Sequence, residues 1–157
     1  MPQTESDSEL DVKPDPRFNS KIAAKFINCL MEKGKKAKAQ NHFYKAMDIV
    51  ADRLDEEDPG DIFEEALENV QPVVEVRGRR IGGMTYQVPT EVTGKRGVAL
   101  AIRWILEATR GKEGRPLYER LADEIMDAYN KQGSAYQRRE SLHRMAEANR
   151  AFSHFRS

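Results

Sequence analysis

The chain has 157 residues, of which 39% are apolar and 33% charged, with 26 basic residues, 26 acidic residues and one cysteine. This length is typical of one domain with one hydrophobic core. No apolar run approaches the roughly 20 residues of a membrane helix, and the lone Cys29 excludes an internal disulfide or a multi-cysteine zinc site. The acidic N-terminus has no apolar segment, so we expect no secretory signal and a cytoplasmic location.

The neutral total hides a strong segregation of charge along the chain. Residues 17–45 carry eight basic residues against one acidic residue, whereas residues 52–68 carry nine acidic residues against one basic residue. Residues 75–103 and 131–157 each carry six basic and two acidic residues. Because the local field of a basic face attracts a polyanion, zero net charge does not exclude a nucleic-acid partner.

The chain begins with an acidic segment, which is followed by three predicted helices. Residues 1–16 carry five acidic residues and one lysine, and we expect an unpacked arm followed by one helical domain over residues 17–157. Asn19 or Ser20 caps the first helix, and Asp58 caps the third. Apolar residues recur at three- and four-residue spacing: Ile22, Phe26, Cys29 and Leu30, then Phe43, Met47, Val50 and Leu54, then Ile62, Phe63, Ala66, Leu67 and Val70.

Residues 73–92 give a clear strand–turn–strand pattern. Two β-branched runs flank Gly82 and Gly83, which supply the positive φ angles of a two-residue turn. Both faces then mix charged and apolar residues, so we expect a projecting ribbon that buries neither face. The predicted register pairs Ile81 with Met84, Arg79 with Tyr86, and Arg77 with Val88.

Three further helices follow the ribbon. A basic loop at residues 93–97 leads into the fourth helix, Pro116 starts the fifth, and Ser134 is the expected cap of the last. The last helix is expected to bury Ala135, Leu142, Met145 and Phe152. The predicted fold class is mainly α, a bundle of about six helices with one protruding β-hairpin between the third and fourth.

The ribbon is the first candidate anion-binding surface. Arg77, Arg79 and Arg80 lie near the Gly-Gly tip, where arginine forks can bind phosphates and Tyr86 can stack on a base. The alternative is that these arginines are solvated charges that keep an edge ribbon from aggregating.

Two more basic clusters are candidates. Lys33, Lys35 and Lys36 surround a helix break, and the next helix N-terminus there favours phosphate. The last helix lines up Arg139, His143, Glu147, Arg150 and His154 along one face. A solvated loop and ordinary Arg–Glu pairs explain each cluster separately, but three such clusters in one small domain favour a shared polyanionic partner.

Catalytic and metal-binding patterns are absent from the sequence. Cys29 falls on the apolar face of the first helix and is expected in the core. His42, His143 and His154 have no metal-ligand spacing, and no nucleophile–base arrangement or Gly-rich phosphate loop is present. We therefore expect no enzyme activity, cofactor, metal or small-molecule substrate.

Six segments together resemble the bacterial ribosomal protein S-seven family of the small subunit. They are Pro14–Phe18, Gly34–Lys36, Ala66–Val70 with Pro72, Arg79–Gly83 through Thr85–Pro89, Ala99–Trp104, and His143–Asn149. The similarity runs in order from about Pro14 to the C-terminus without large insertions. Each motif alone is weak, but six in register are highly specific.

The resemblance implies a primary rRNA-binding protein that binds the 3′ major domain of small-subunit rRNA and nucleates assembly of the head. It implies a position near the decoding centre and the exit-site tRNA, with mRNA as a further candidate partner, beside neighbouring head and platform proteins. The implied rRNA-binding residues are Lys33, Lys35, Lys36, Lys95, Arg96, Arg103, Arg138, Arg139, His143 and Arg144. The implied ribbon residues near rRNA or tRNA are Arg77, Arg79, Arg80, Gly82, Gly83 and Tyr86.

Three features depart from the family pattern. Family N-terminal arms are usually basic, whereas residues 4–11 here are acidic, so no rRNA contact is assigned to the arm. His42 stands where an apolar residue is usual, and the loop at residues 93–97 is less basic than is common. The acidic residues 52–68 are expected to face away from RNA.

A second hypothesis comes from the paired acidic and basic segments. The chain could be a helical module that binds an acidic protein and whose ribbon adds a strand to another sheet. Replacing Arg77, Arg79 and Arg80 with Ala separates the two hypotheses, because loss of RNA association with the fold intact supports RNA binding.

Overall fold

The computed structural model describes residues 12–55 and 57–155. Within them lie six α-helices, a two-stranded antiparallel sheet and a 3-10 helix, which confirms the predicted fold class. The elements are α1 (Lys21–Leu30), α2 (Lys36–Arg53), α3 (Pro59–Val70), β1 (Val74–Ile81), β2 (Met84–Glu91), α4 (Gly94–Arg110), α5 (Leu117–Tyr129), α6 (Gly133–Ala148) and the 3-10 helix (Arg150–Phe155). None of the helices in these two ranges is long and apolar enough to span a bilayer.

Helices α1 and α3 begin with the predicted side-chain caps, whereas the N-cap residues of α2, α4, α5 and α6 make no side-chain capping bond. The Ser20 side chain accepts from the Ala23 N–H, and Asp58 accepts from the Gly60 N–H, as predicted. The expected cap Ser134 is wrong, because α6 begins at Gly133. Another helix supplies the acceptor for one N–H group of its first turn, because Glu124 Oε1 of α5 accepts from the Ala135 N–H at 3.3 Å.

Three phenylalanines from three helices form the centre of the core. The rings of Phe26, Phe43 and Phe63 are fully buried, and their centroids lie 5.0–5.5 Å apart. Edge and tilted contacts of this kind stabilise aromatic pairs beyond the burial of their area. Helix α5 packs against α2, α3, α4 and α6, so it ties both halves of the chain into one core.

The hairpin forms with the predicted register but buries its base. Gly82 and Gly83 take φ angles of +59° and +83°, a region that glycine adopts at no steric cost, and all three predicted pairs are present. The expectation that neither face is buried is wrong. Val88 is 3% exposed and Glu75 is 7% exposed, because α6 and the 3-10 helix pack against the two strands.

Two residues expected in the core are exposed. The prediction for Cys29 is wrong, because the buried arc of α1 runs around the helix from Ile22 to Ile27 and Cys29 lies just outside it, next to Ile22. Met145 is 49% exposed. Helix α6 buries Ala135 and Ala146 instead, so its inner face is lined by small residues.

Packing extends upstream of the predicted boundary at Arg17, because Val12 packs against the core and Asp15 is buried. Asp15 is 3% exposed, and its carboxylate accepts from the Phe18 N–H and from the Tyr44 hydroxyl at 2.6 Å. Burial and this hydrogen bond raise the pKa of Tyr44 to about 12. Residues 1–11, which carry most of the predicted acidic arm, lie outside the described residues.

Candidate nucleic-acid interface

The α1–α2 turn presents three lysines to solvent. Lys33 and Gly34 have φ angles of +54° and +74°, so the link between the two helices contains two left-handed residues just before α2 begins. Lys33, Lys35 and Lys36 are all exposed. Among the described contacts, no hydrogen bond or ion pair engages their ammonium groups, which are therefore available to an external anion.

Helix α4 carries a basic stripe along its exposed side. Arg96, Arg103, Glu107 and Arg110 are exposed and recur at intervals of seven, four and three residues, which places them on one face of a helix. Lys95 precedes them in the first turn and is exposed as well. A helix of 17 residues is about 25 Å long, so the stripe runs from the base of the ribbon to the C-terminal end of α4.

Glu75 connects the ribbon to this stripe. Its buried carboxylate accepts two hydrogen bonds from Arg96, each 3.3 Å long, and lies 3.6 Å from Arg77 Nη2. A carboxylate held by two guanidinium groups fixes the base of β1 against the start of α4. Arg77 and Arg96 remain 61% and 46% exposed in their side chains, so each still presents donors to solvent.

Glu107 makes a similar bridge between α4 and α6. Its two carboxylate oxygens lie 3.1 Å from Arg103 Nε and 3.4 Å from Arg138 Nη1. The Arg138 guanidinium also lies 5.7 Å from the ring centroid of Trp104, a distance typical of a cation–π contact. The pairing brings Arg103 and Arg138, which are far apart in sequence, onto one surface.

The tip of the ribbon is exposed to solvent, and its described side-chain contacts are few and local. Arg80 donates to the Gly83 carbonyl at 3.5 Å, a long hydrogen bond within the turn itself. Gly82 and Gly83 are exposed, and Met84 is 62% exposed. The tip therefore presents one cation, the backbone of two glycines and one apolar side chain to a binding partner.

Arg79 and Tyr86 contact the 3-10 helix. Arg79 Nη1 donates to the Phe155 carbonyl at 2.5 Å. The Tyr86 ring lies 5.1 Å from Phe152 and 4.9 Å from Phe155, measured between centroids. A base can therefore stack on Tyr86 only beside or in place of these two rings.

Arg139 and His143 lie on the inner face of α6. Arg139 Nε donates to the Gln71 carbonyl at 3.2 Å, and its side chain is 24% exposed. His143 Nε2 accepts from the Val73 N–H at 3.1 Å, so this nitrogen carries no proton. Burial, and secondarily the neighbouring Arg139, lower the pKa of His143. Both side chains join α6 to the segment that links α3 and β1.

Arg144 is the remaining basic residue predicted on α6. It is exposed, and its guanidinium donates to Ser141 Oγ at 3.1 Å. Of the predicted α6 set, Arg138 and Arg144 thus face solvent, whereas Arg139 and His143 hold the fold together.

The acidic segment forms a separate surface. Described acidic side chains that are exposed here are Asp52, Asp55, Glu57, Asp58, Asp61, Glu65 and Glu68. Within residues 12–55 and 57–155, no group of three or more His, Cys, Asp or Glu is placed to hold a metal ion. This surface would repel phosphate, in contrast to the α4 stripe.

Sequence reasoning missed three cations that the fold adds to the basic face. Lys38, Arg110 and Arg120 lie beside the α1–α2 turn and line the same depression as Lys33 and Lys35. The signal for Arg110 was its seven-residue spacing from Arg103. Arg120 gave none, because it reaches the depression only through packing of α5 against α2 and α4.

The comparisons with known proteins agree with this architecture. The family model described as "Ribosomal protein S7p/S5e" matches residues 2–150. The chain is 57% identical over 145 residues to "Small ribosomal subunit protein uS7" of Desulfotalea psychrophila, with 92% of each chain covered. It is 52% identical over 156 residues to the protein of that name in Marinobacter nauticus, with 99% of each covered. The protein of that name in Thermotoga neapolitana is 54% identical over 145 residues, which cover 92% of this chain and 93% of the relative.

The family model covers most of the chain, and the sequence identity to these relatives extends over nearly its full length. This chain belongs to the ribosomal protein S7p/S5e family.

Proposed function

We propose that this chain binds the 3′ major domain of small-subunit rRNA as a primary binder and nucleates assembly of the head. By its family it is a structural, non-enzymatic constituent of the small ribosomal subunit. The observation that carries the proposal is the continuous basic face, which runs from the α1–α2 turn along α4 to the ribbon. It binds rRNA chiefly through phosphate contacts, which give affinity and position more than sequence readout.

The individual contacts follow from exposure. Lys33, Lys35, Lys36, Lys95, Arg96 and Arg103 supply the main rRNA-binding cations, with Arg138 and Arg144 at the edge. Arg139 and His143 act on RNA indirectly, because they position α6. In the cytoplasm, the ribbon tip at Gly82 and Gly83 reaches the exit-site tRNA near the decoding centre, where mRNA is a further candidate partner. The surfaces outside the basic face contact neighbouring head and platform proteins.

Filter binding with two rRNA fragments tests the proposal. The chain should bind a 3′ major-domain fragment more tightly than a fragment of equal length from another domain, and its affinity should fall steeply as salt rises. Equal affinity for both fragments, or indifference to salt, would contradict it. Replacing Arg77, Arg79 and Arg80 together with Ala tests the ribbon: unaltered subunit association of the folded variant would favour the protein-binding module instead.

A further inference from the structure

A concave depression lies where the α1–α2 turn meets the end of α4 and the start of α5. Its volume is about 380 Å³. Leu30, Ala39 and Leu117 form its apolar lining, and the imidazole of His42 is the one aromatic ring among its lining residues. Charged groups, in contrast, converge on the depression from several elements.

Five cationic side chains line the depression against one carboxylate. The cations are Lys33, Lys35, Lys38, Arg110 and Arg120. The carboxylate is that of Glu32, which is 77% exposed and lies 3.9 Å from Arg110 Nη2. Like charges at such close quarters repel one another unless an anion joins them.

The N-terminus of α2 points its positive end to the same place. This helix has 18 residues, and its N-cap, Lys35, makes no side-chain capping bond. The first N–H groups of an uncapped helix bind anions, and the helix dipole adds to their effect. The helix end and the cation cluster are independent features that favour the same ligand.

The Arg120 side chain lines the depression and is held in place by hydrogen bonds. Its Nη1 donates to the Thr109 carbonyl at 3.2 Å and to the Lys112 carbonyl, so the guanidinium is held in place at the end of α4. Its buried Nε–H has no hydrogen-bond partner among the residues described. A guanidinium that is already fixed by two backbone carbonyls loses little side-chain freedom when it contacts an anion in the depression.

We propose that this depression, which we call the α2 pocket, binds two or more adjacent phosphates of a sharply bent RNA strand, with Lys38, Arg110 and Arg120 as contacts beyond those predicted from the sequence. The inference rests on the rRNA-binding function proposed above. A surplus of four positive charges exceeds what one phosphodiester neutralises, since each carries a single negative charge. A bent backbone is the arrangement that brings several phosphates into one concave site.

Variants with a matched control test the α2 pocket on the 3′ major-domain fragment. Lys38→Ala and Arg110→Ala should each lower affinity about fivefold or more at about 0.1 M salt and reduce the salt slope by about one. Lys131→Ala removes the same charge from the segment between α5 and α6, outside the pocket lining, and should change affinity less than about twofold. Equal effects of Lys38→Ala and Lys131→Ala would overturn the pocket, because they would show that affinity depends only on the overall charge of the protein.

A titration without RNA separates the pocket from the proposed function. Pyrophosphate, which carries two adjacent phosphates, should shift the backbone amide NMR signals of residues 33–39 in the wild type at constant ionic strength, and much less in Arg110→Ala. If pyrophosphate causes those shifts but the protein shows no preference for 3′ major-domain RNA, the result would support the pocket and contradict the proposed function. Preferential RNA binding with no pyrophosphate shifts and no effect of Lys38→Ala would support the function and overturn the pocket.

Discussion

The α1–α2 turn and helix α6 are both basic in sequence but differ in what their cations do. At the turn, Lys33, Lys35 and Lys36 are exposed and have no ion-pair partner among the described residues. On α6, Arg139 donates to a backbone carbonyl and His143 accepts from a backbone N–H. The difference shows that a run of basic residues predicts positive surface only where the fold leaves the charged groups without internal partners.

The reason lies in which face of each element packs. Helix α6 buries only small residues, Ala135 and Ala146, so its inner face has room for the longer Arg139 and His143 beside them. In the α1–α2 turn, Lys33 and Gly34 take left-handed φ angles, and Lys33, Lys35 and Lys36 are exposed. The predictions below test this contrast, from the largest expected effect to the smallest.

The largest effect is expected at the turn. The double variant Lys35→Ala and Lys36→Ala should weaken binding to the 3′ major-domain fragment about tenfold or more at about 0.1 M salt and make the salt slope shallower by about 1.4 to 1.8. Both side chains are exposed, so the unfolding midpoint should be unchanged, as followed by circular dichroism. An unchanged affinity would show that the turn does not contact RNA.

A smaller effect, and on stability rather than affinity, is expected on α6. Arg139→Ala should lower the free energy of unfolding by about 1–2 kcal/mol, because it leaves the Gln71 carbonyl without its partner. Urea denaturation measures the loss. Arg144→Ala is the control and should stay within about 0.5 kcal/mol, since this side chain is exposed. A tenfold loss of rRNA affinity in a folded Arg139→Ala variant would show instead that Arg139 binds RNA, which would contradict the contrast between α6 and the α1–α2 turn.

The pH dependence of stability tests His143. Its pKa in the folded state lies below the ordinary value of 6.5, so the unfolded chain binds the proton more readily. Stability from this group is complete above about pH 6.5 and is lost as pH falls toward the lowered pKa. His42 acts in the same direction, because burial and the nearby Lys38 and Lys45 lower its pKa.

The variant His143→Gln keeps a side-chain acceptor for the Val73 N–H but does not titrate. Thermal unfolding between pH 7.5 and 5 should therefore show a smaller loss of stability than in the wild type, with the contribution of His42 remaining. An identical pH profile in both proteins would show that His143 does not lose its hydrogen bond on protonation.

The smallest effect is expected from the acidic N-terminal residues. Deleting residues 1–11 removes four carboxylates and no basic side chain, and it leaves the buried Asp15 in place. Affinity for the rRNA fragment should stay the same or rise by less than about threefold, because phosphate repels carboxylates. A marked loss in the same filter assay would assign the arm a contact with RNA.

Local sequence rules predicted much of the fold. The Gly82–Gly83 turn set the register of the ribbon, and Asp58 with Pro59 set the start of α3, because each depends on neighbours in the chain. Long-range packing was not predictable in this way. The cap of α6 comes from Glu124 on another helix, and Cys29 lies at the edge of the buried arc of α1.

The sequence predicted the separate basic clusters, but it did not predict that they join into one continuous basic face. Lys35, Arg96 and Arg103 were identified from local clusters. The carboxylates of Glu75 and Glu107 join those clusters across elements, and Arg120 reaches the α2 pocket only through packing. Which arginines face inward depends on helix rotation, which charge spacing alone does not specify.

Lysine footprinting of the free and rRNA-bound protein tests the central claim most directly. The accessible lysines would be acetylated briefly in each state and their reactivity compared by mass spectrometry. We predict strong protection of Lys33, Lys35, Lys36, Lys38 and Lys95 by the 3′ major-domain fragment, and little at Lys131, which lies between α5 and α6. Equal reactivity of the α1–α2 turn lysines in the two states would contradict the account.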